Sequence, residues 1–249
     1  MNGANARGLG RRSTRAGVTN SMSIAKRSST KELLIDVAEQ LFGRLGIDGV
    51  SLREIAAAAD QANSSVVQYH FTDKPGLVGA ILEDRVSRIE TLRRERLETM
   101  KSQGRDDPRE LLQTLWAPIL SIRDPHGVHT FCRFLLQVML QSHIDQHPVH
   151  KLYSAFSKGD TAAGDNLAHV VKATRMLRAH YDHLSAPELN RRMSSLSMMF
   201  LATVVEHDNA RIIGKPAAQA EFDLDPILDM ALGALSSVST PSRSRRTTR

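Results

Sequence analysis

The sequence is poor in the residues that mark several large classes of protein. Cys132 is its one cysteine, which excludes an intrachain disulfide framework and any multi-cysteine metal site and fits a reducing cytosol. Apolar stretches are short: the longest, around residues 198–205, is well below the roughly 18 residues a membrane-spanning helix needs. The basic N-terminus lacks the apolar core of a signal peptide, so export is not expected and a cytoplasmic protein is. Sustained period-two runs of β-branched residues and Asn-Gly hairpin turns are also missing, which argues against a sheet. No repeat of 20–50 residues suggests a solenoid.

What is present is a chain of 249 residues, 41% apolar and 24% charged, long enough to bury a proper core. Its formal charge of +6 is unevenly spread. Residues 1–31 hold seven basic residues and no acid, and the last seven residues hold four arginines, so the stretch between is net −5. Both ends are rich in Ser, Thr, Gly and Asn, and cannot offset the entropy of ordering. Residues 1–27 therefore read as a flexible basic arm and 240–249 as a flexible basic tail, suited to a polyanion or simply to solubility. Met22 is an alternative start that would shorten the arm to Lys26, Arg27 and Lys31.

Between these ends the pattern is helical throughout. Ser29-Thr30-Lys31-Glu32 is a capping box, followed by Leu33, Leu34, Val37, Ala38, Leu41, Phe42 and Leu45 on one expected face, with Gly46 as a left-handed cap. Ser51-Leu52-Arg53-Glu54 is a second box, with Leu52, Ile55, Ala56 and Ala59 expected inward. After a turn at residues 60–62, Asn63 can cap a short third helix reaching about Tyr69, and Pro75 opens a fourth. Further helices are predicted near 75–102, 107–122, 128–144, 148–157, 165–184, 187–211 and 225–238, with breaks at the Gly and Pro clusters, Pro148 and Pro187 among them. The expected architecture is all-α. A three-helix module (28–75) precedes a larger helical body (76–239).

Three short helices in under 50 residues, the last two joined by a tight turn, form a helix-turn-helix pattern whose third helix enters the major groove. Val67 and Phe71, four apart, can bury against the module. Ser64, Ser65, Gln68 and His70 offer polar side chains for bases or phosphates, Val66 an apolar contact for a thymine methyl, and Lys74 a phosphate contact. The stretch from Ser29 to about Leu82, above all residues 51–59 and 63–74, resembles the DNA-binding domain of the tetracycline-repressor (TetR) family. The resemblance implies a homodimer on a near-palindromic operator, usually a repressor, released when a small molecule binds the helical body. It carries DNA contacts onto Ser64, Ser65, Val66, Gln68, His70 and Lys74, puts Ser51 near the backbone, and places Tyr69 where an aromatic packs or touches phosphate. In the turn, Asp60 stands where the family usually has glycine. Residues 32–77 also carry seven acids against Arg44, Arg53 and Lys74.

Other constellations are weaker. His143 and His147 are four apart near Asp145 and His150, but Pro148 follows and no His-Glu-x-x-His motif exists, so no metal or cofactor is expected. No nucleophile motif surrounds Cys132 or Ser194-Ser195, so no catalytic residue is expected. Trp116, Phe131, Phe134, Met139, Tyr153 and Met176 are ordinary core candidates that the resemblance turns into candidate walls of a ligand cavity. The last two helices carry Met193, Leu196, Phe200, Val204, Leu228 and Leu232, which the resemblance places at an isologous four-helix dimer interface. The expected function is a sequence-specific, ligand-responsive transcriptional regulator. A non-specific architectural DNA binder and a helical enzyme are the rival classes.

An acidic module needs help to approach phosphate, and the basic arm is expected to supply it by lying in a minor groove, as other arms do. Deleting residues 1–27 is expected to lower DNA affinity and to flatten the slope of log K against log salt by several units. An unchanged slope would show that the arm contributes no phosphate contacts.

Overall fold

The computed structural model describes residues 29–142 and 167–237, and among these residues every regular element is helical. In chain order they are α1 (Thr30–Leu45), α2 (Leu52–Ala58), α3 (Ser65–Phe71), α4 (Lys74–Ser102), α5 (Pro108–Trp116), α6 (Thr130–Ser142), α7 (Ala168–Ala179), α8 (Ala186–Ile212) and α9 (Asp225–Ser236). Short 3-10 turns follow α5 (Ala117–Ser121) and precede α9 (Pro216–Ala218). The basic arm and tail, the 148–157 helix, the 143–150 histidine cluster and Tyr153 lie outside the described residues.

Local rules set most boundaries. Both capping boxes form: Ser29 Oγ accepts the Glu32 amide and Ser51 Oγ the Glu54 amide, each at 3.2 Å, while each glutamate accepts its serine's amide. Pro75, Pro108, Pro187 and Pro226 all sit in first turns, where a missing N–H costs nothing. Pro187 separates two helices as expected, standing in the first turn of the second, which Ser185 caps, and α7 ends earlier than expected, at Ala179. The helix expected over 107–122 tightens to 3-10 from Ala117. Pro118 lacks the N–H that the α-helical ladder would require there.

One apolar cluster runs from Leu34 to Leu235 and joins the N-terminal module to the body. On α1 its members are Leu34, Ile35, Ala38 and Phe42; Leu33 and Leu45, expected on that face, are 36% and 60% exposed. Phe42 stacks on Phe134, and Phe134 on Phe131, so α1 lies along α6 through an aromatic column. Trp116 stacks at 5.3 Å on Phe200 of α8.

Charged side chains are buried in the same joints. Arg85 of α4 donates to Asp36 at 2.5 Å and to Glu39 at 2.6 Å on α1, and pairs with Asp84. The other oxygen of Glu39 accepts the Thr130 hydroxyl at the start of α6. Burial pushes the Glu39 carboxyl above the usual range, with Arg85 and Thr130 pulling the other way. Two turns along α4, Arg93 donates to Glu90 at 2.9 Å and to the Leu115 carbonyl at 2.7 Å, while Glu90 accepts the His169 amide of α7. His129 bonds to Asp208 of α8 through its amide (2.8 Å) and its ring (3.0 Å). Asp208 is fully buried, yet these His129 bonds hold its carboxyl below the ordinary value.

Helices α1 and α6 meet at Gly43, where an added Cβ would lie 2.9 Å from Arg133 Cβ and 3.2 Å from the Phe134 nitrogen. Gly43→Ala is expected to destabilise the fold by about 1–2 kcal/mol, because overpacking a helix contact outweighs the gain in helix propensity. Equilibrium denaturation checks this; a stabilised variant would mean that α1 and α6 have room to separate.

Candidate nucleic-acid interface

Helices α2 and α3 are joined by a turn whose backbone is set by two residues. Asp60 has φ 54°, the left-handed conformation that glycine adopts freely and that costs other residues. The side chain of Asn63 then accepts the Ser65 amide at 2.9 Å from two residues before the helix, so the bond expected of Asn63 forms while the cap position itself falls on Ser64, whose side chain makes no capping bond. At the far end, Thr72 has φ 68° and ψ −58°, and the Asp73 amide donates to the Phe71 carbonyl at 2.7 Å, closing a three-residue turn. Asp73 caps α4 by accepting the Gly76 amide at 2.7 Å, and a Cβ on Gly76 would collide with the Phe71 carbonyl oxygen. The corner between α3 and α4 is thus built too tightly for any side chain at position 76.

These turns fix which side of α3 faces out. Val67 and Phe71 are buried, and Val66 is half-buried against the same core. Ser64, Ser65, Gln68 and Tyr69 are exposed, Tyr69 at 84%, with its ring edge-on to half-buried His70. Four of the residues expected to contact DNA therefore share one open face, while Val66 spends much of its surface on packing. Ser51 is exposed but its hydroxyl donates to Glu54 at 2.7 Å. That capping keeps the Glu54 carboxyl well below its ordinary range, so α2 begins with a fixed negative charge. The Lys74 ammonium donates to the Ile47 carbonyl at 3.0 Å, tying the start of α4 to the α1–α2 turn. Arg53, exposed on the first turn of α2, is a cation that the sequence-derived set omitted.

The remaining candidates are placed less openly. Trp116, Phe131, Phe134 and Met139 are buried in the core and Met176 is half-buried; none lines either of two surface clefts of about 450 Å³. One cleft lies between α4 and α5, the other where α1, α4 and the 121–130 segment meet. Leu196, Phe200, Val204 and Leu228 are buried within the chain itself, and Met193 and Leu232 are half-buried. The opposite side of α8 carries Ser195, Met198, Ala202, Val205, Asn209 and Ile212 at alternating spacings of three and four, all at least partly exposed, and α9 exposes Met230 beside Gly233. Cys132 is fully buried, which pushes its thiol up and makes it inert packing. Among the described residues no cluster of three or more His, Cys, Asp or Glu side chains can hold a metal, and no helix is long and apolar enough to cross a membrane.

Comparison with known proteins bears on the same region. Residues 34–81 match the model of the bacterial regulatory proteins of the tetR family. Among curated proteins no sequence matches. Among solved structures the chain is similar to a protein from Shewanella sp. PV-4 assigned to the tetR family of transcription regulators, at 16% identity and a TM-score of 0.51, over 84% of this chain and 96% of that one. A transcriptional regulator from Rhodococcus sp. Rha1 aligns at 19% identity and a TM-score of 0.44, over 83% and 96%. A protein from Vibrio parahaemolyticus assigned to the TetR family aligns at 16% and 0.47, over 83% and 98%.

The turn yields a stability test. Asp60→Gly is expected to hold or raise the melting temperature, and Asp60→Ala to fall below the glycine variant by about 1 kcal/mol, since alanine tolerates positive φ poorly. Equal stability of the two variants would show that the turn relaxes away from its left-handed geometry.

Proposed function

We propose that this chain, a tetR-family regulatory protein by its N-terminal DNA-binding domain, is a homodimeric repressor that reads a near-palindromic operator with α3 and releases it on binding a small molecule. The observation that carries the reading is the open face of α3: Ser64, Ser65, Gln68 and Tyr69 exposed together, on a helix anchored by buried Val67 and Phe71. Gln68 offers a bidentate amide for an adenine edge, the serines short contacts for bases or phosphate, and Tyr69 an aromatic edge for a thymine methyl or a phosphate. His70 flanks this face, and Ser51, Arg53 and Lys74 position it on the backbone. The division at residue 75 separates the reading module from a body that dimerises and responds.

A second copy of the chain fits the outer side of α8 and α9. A 3.5-residue repeat of small and apolar residues exposed on one chain is the seam that helices use to pack on a symmetry mate. Ser195, Ala202 and Gly233 allow close approach, while Met198, Val205 and Met230 supply apolar contact. The buried residues behind them, Phe200, Val204 and Leu228, hold the two helices in place from within.

The test is fluorescence-anisotropy titration of the full-length protein with DNA from upstream of its own gene and with shuffled DNA, followed by selection from random sequence. Selective binding is expected, and Gln68→Ala should cost about 1–3 kcal/mol at one operator position while leaving the others unchanged. Identical sequence profiles for wild type and variant would remove Gln68 as a base reader. Ala202→Arg should convert the dimer to a monomer in sedimentation and abolish tight operator binding; a dimer that persists would place the interface elsewhere.

A further inference from the structure

The cleft of about 450 Å³ at the junction of the two parts has three walls of different origin. Asp36, Glu39 and Gln40 come from α1 in the reading module, Arg85, Arg88 and Leu92 from α4, and the 121–125 segment with Thr130 from the body. Its volume is within the range of small-molecule sites, about 300–1,000 Å³. Anything that fills it touches the reading module, the connecting helix and the body at once.

The hydrogen bonds inside the cleft decide what it can take. Each of its carboxylates already has partners within the chain. Asp36 accepts from Arg85 at 2.5 Å, Glu39 accepts from both Arg85 and Thr130, and Asp124 accepts the His126 and Val128 amides at 2.9 and 2.8 Å. Arg85 is 94% buried in side-chain terms and divides its donors among Asp36, Glu39 and Asp84. The two other arginines keep donors to spare. Arg88, with a side chain 60% exposed, commits one terminal nitrogen to Asp84. Arg123 gives its Nε to the Leu120 carbonyl, and its Nη1 has only a 3.4 Å contact with Glu221, a side chain 86% exposed and of little electrostatic weight. Arg88 stands on α4 and Arg123 on the facing loop, with Leu92, Ile122 and Pro125 forming apolar wall beside them.

We infer that this junction cleft binds a small carboxylate with an apolar tail, its anionic head held between Arg88 and Arg123 and its tail against Leu92, Ile122 and Pro125. Planar guanidinium forks match carboxylate geometry, and charge-assisted bonds of this kind are about twice as strong as neutral ones. The occupant sits over the Glu39–Thr130 bond that joins α1 to α6, so binding biases how the reading module is held against the body. The regulatory consequence rests on the function proposed above, whereas the binding chemistry does not.

The experiment is calorimetric titration of the full-length protein, without DNA, using octanoate, octylamine and octanol as probes, on wild type and on the Arg88→Gln/Arg123→Gln double variant. Octanoate is expected to bind wild type at least about tenfold more tightly than either other probe. The double variant should lose about tenfold or more in octanoate affinity with an unchanged melting temperature. No octanoate binding, equal binding of octylamine, or undiminished binding to the double variant would each overturn the assignment. Anisotropy on the same samples, with and without octanoate, keeps the two readings apart. Operator binding that fails in unliganded wild type counts against the regulator, and operator binding that octanoate leaves unmoved counts against the site's regulatory role alone.

Discussion

The arrangement of this molecule depends on one buried ion pair, Arg85 with Glu39. An arginine and a glutamate taken out of water cost several kcal/mol each unless their hydrogen bonds are met, and removing one partner of such a pair costs about 3–5 kcal/mol. Here they are met from three helices: Asp36 and Glu39 on α1, Asp84 on α4 and Thr130 on α6. The reading module therefore cannot tilt far from the body without exposing or orphaning a charge. The aromatic column of Phe42, Phe134 and Phe131 and the tight contact at Gly43 reinforce the same joint by packing.

From that joint two routes lead into the body. Along α4, Arg93 lies eight residues beyond Arg85, about 12 Å at helical rise, and engages α5 and α7 through the Leu115 carbonyl and Glu90. Through α6, Thr130 is followed on the N-terminal side by His129, whose amide and ring hold buried Asp208 on α8. The helix that carries the outward 3.5-residue seam is thus connected by hydrogen bonds and packing to the helix that begins the reading module. In the function proposed above, these contacts are the physical route by which an effector at the junction biases the separation of two α3 helices in a dimer, the coupling that a ligand-released repressor requires.

The parts legible in the sequence were those governed by neighbours along the chain. Both capping boxes, Pro75 in the first turn of α4 and the α2–α3 turn follow from residues close along the chain, whereas Asp60 stood out only against the family resemblance and its positive φ is set by the folded turn. The parts that were not legible depend on residues far apart. Glu39 and Arg85 are 46 positions distant and Glu39 and Thr130 are 91, so nothing local marks the buried pair. Helix α8 shows why apolar periodicity alone does not tell a helix's core face from its outer face. It carries two stripes, and Leu196, Phe200 and Val204, the larger, face the chain's own core, leaving the smaller stripe through Met198, Ala202 and Val205 outward. On α3 the period gave the buried side, but that Val66 packs and Tyr69 stands 84% exposed was decided by the turns at either end.

The most direct test of this account is native-state hydrogen exchange of the free protein, comparing α1 amides between Leu34 and Phe42 with α6 amides between Phe131 and Val138. If the buried pair and the aromatic column make the reading module and the body one cooperative unit, the slowest amides of both helices open with the same free energy and the same denaturant dependence. Exchange of α1 at a free energy several kcal/mol below that of α6 would contradict it, and would mean that the reading module opens on its own, with no fixed joint to the body.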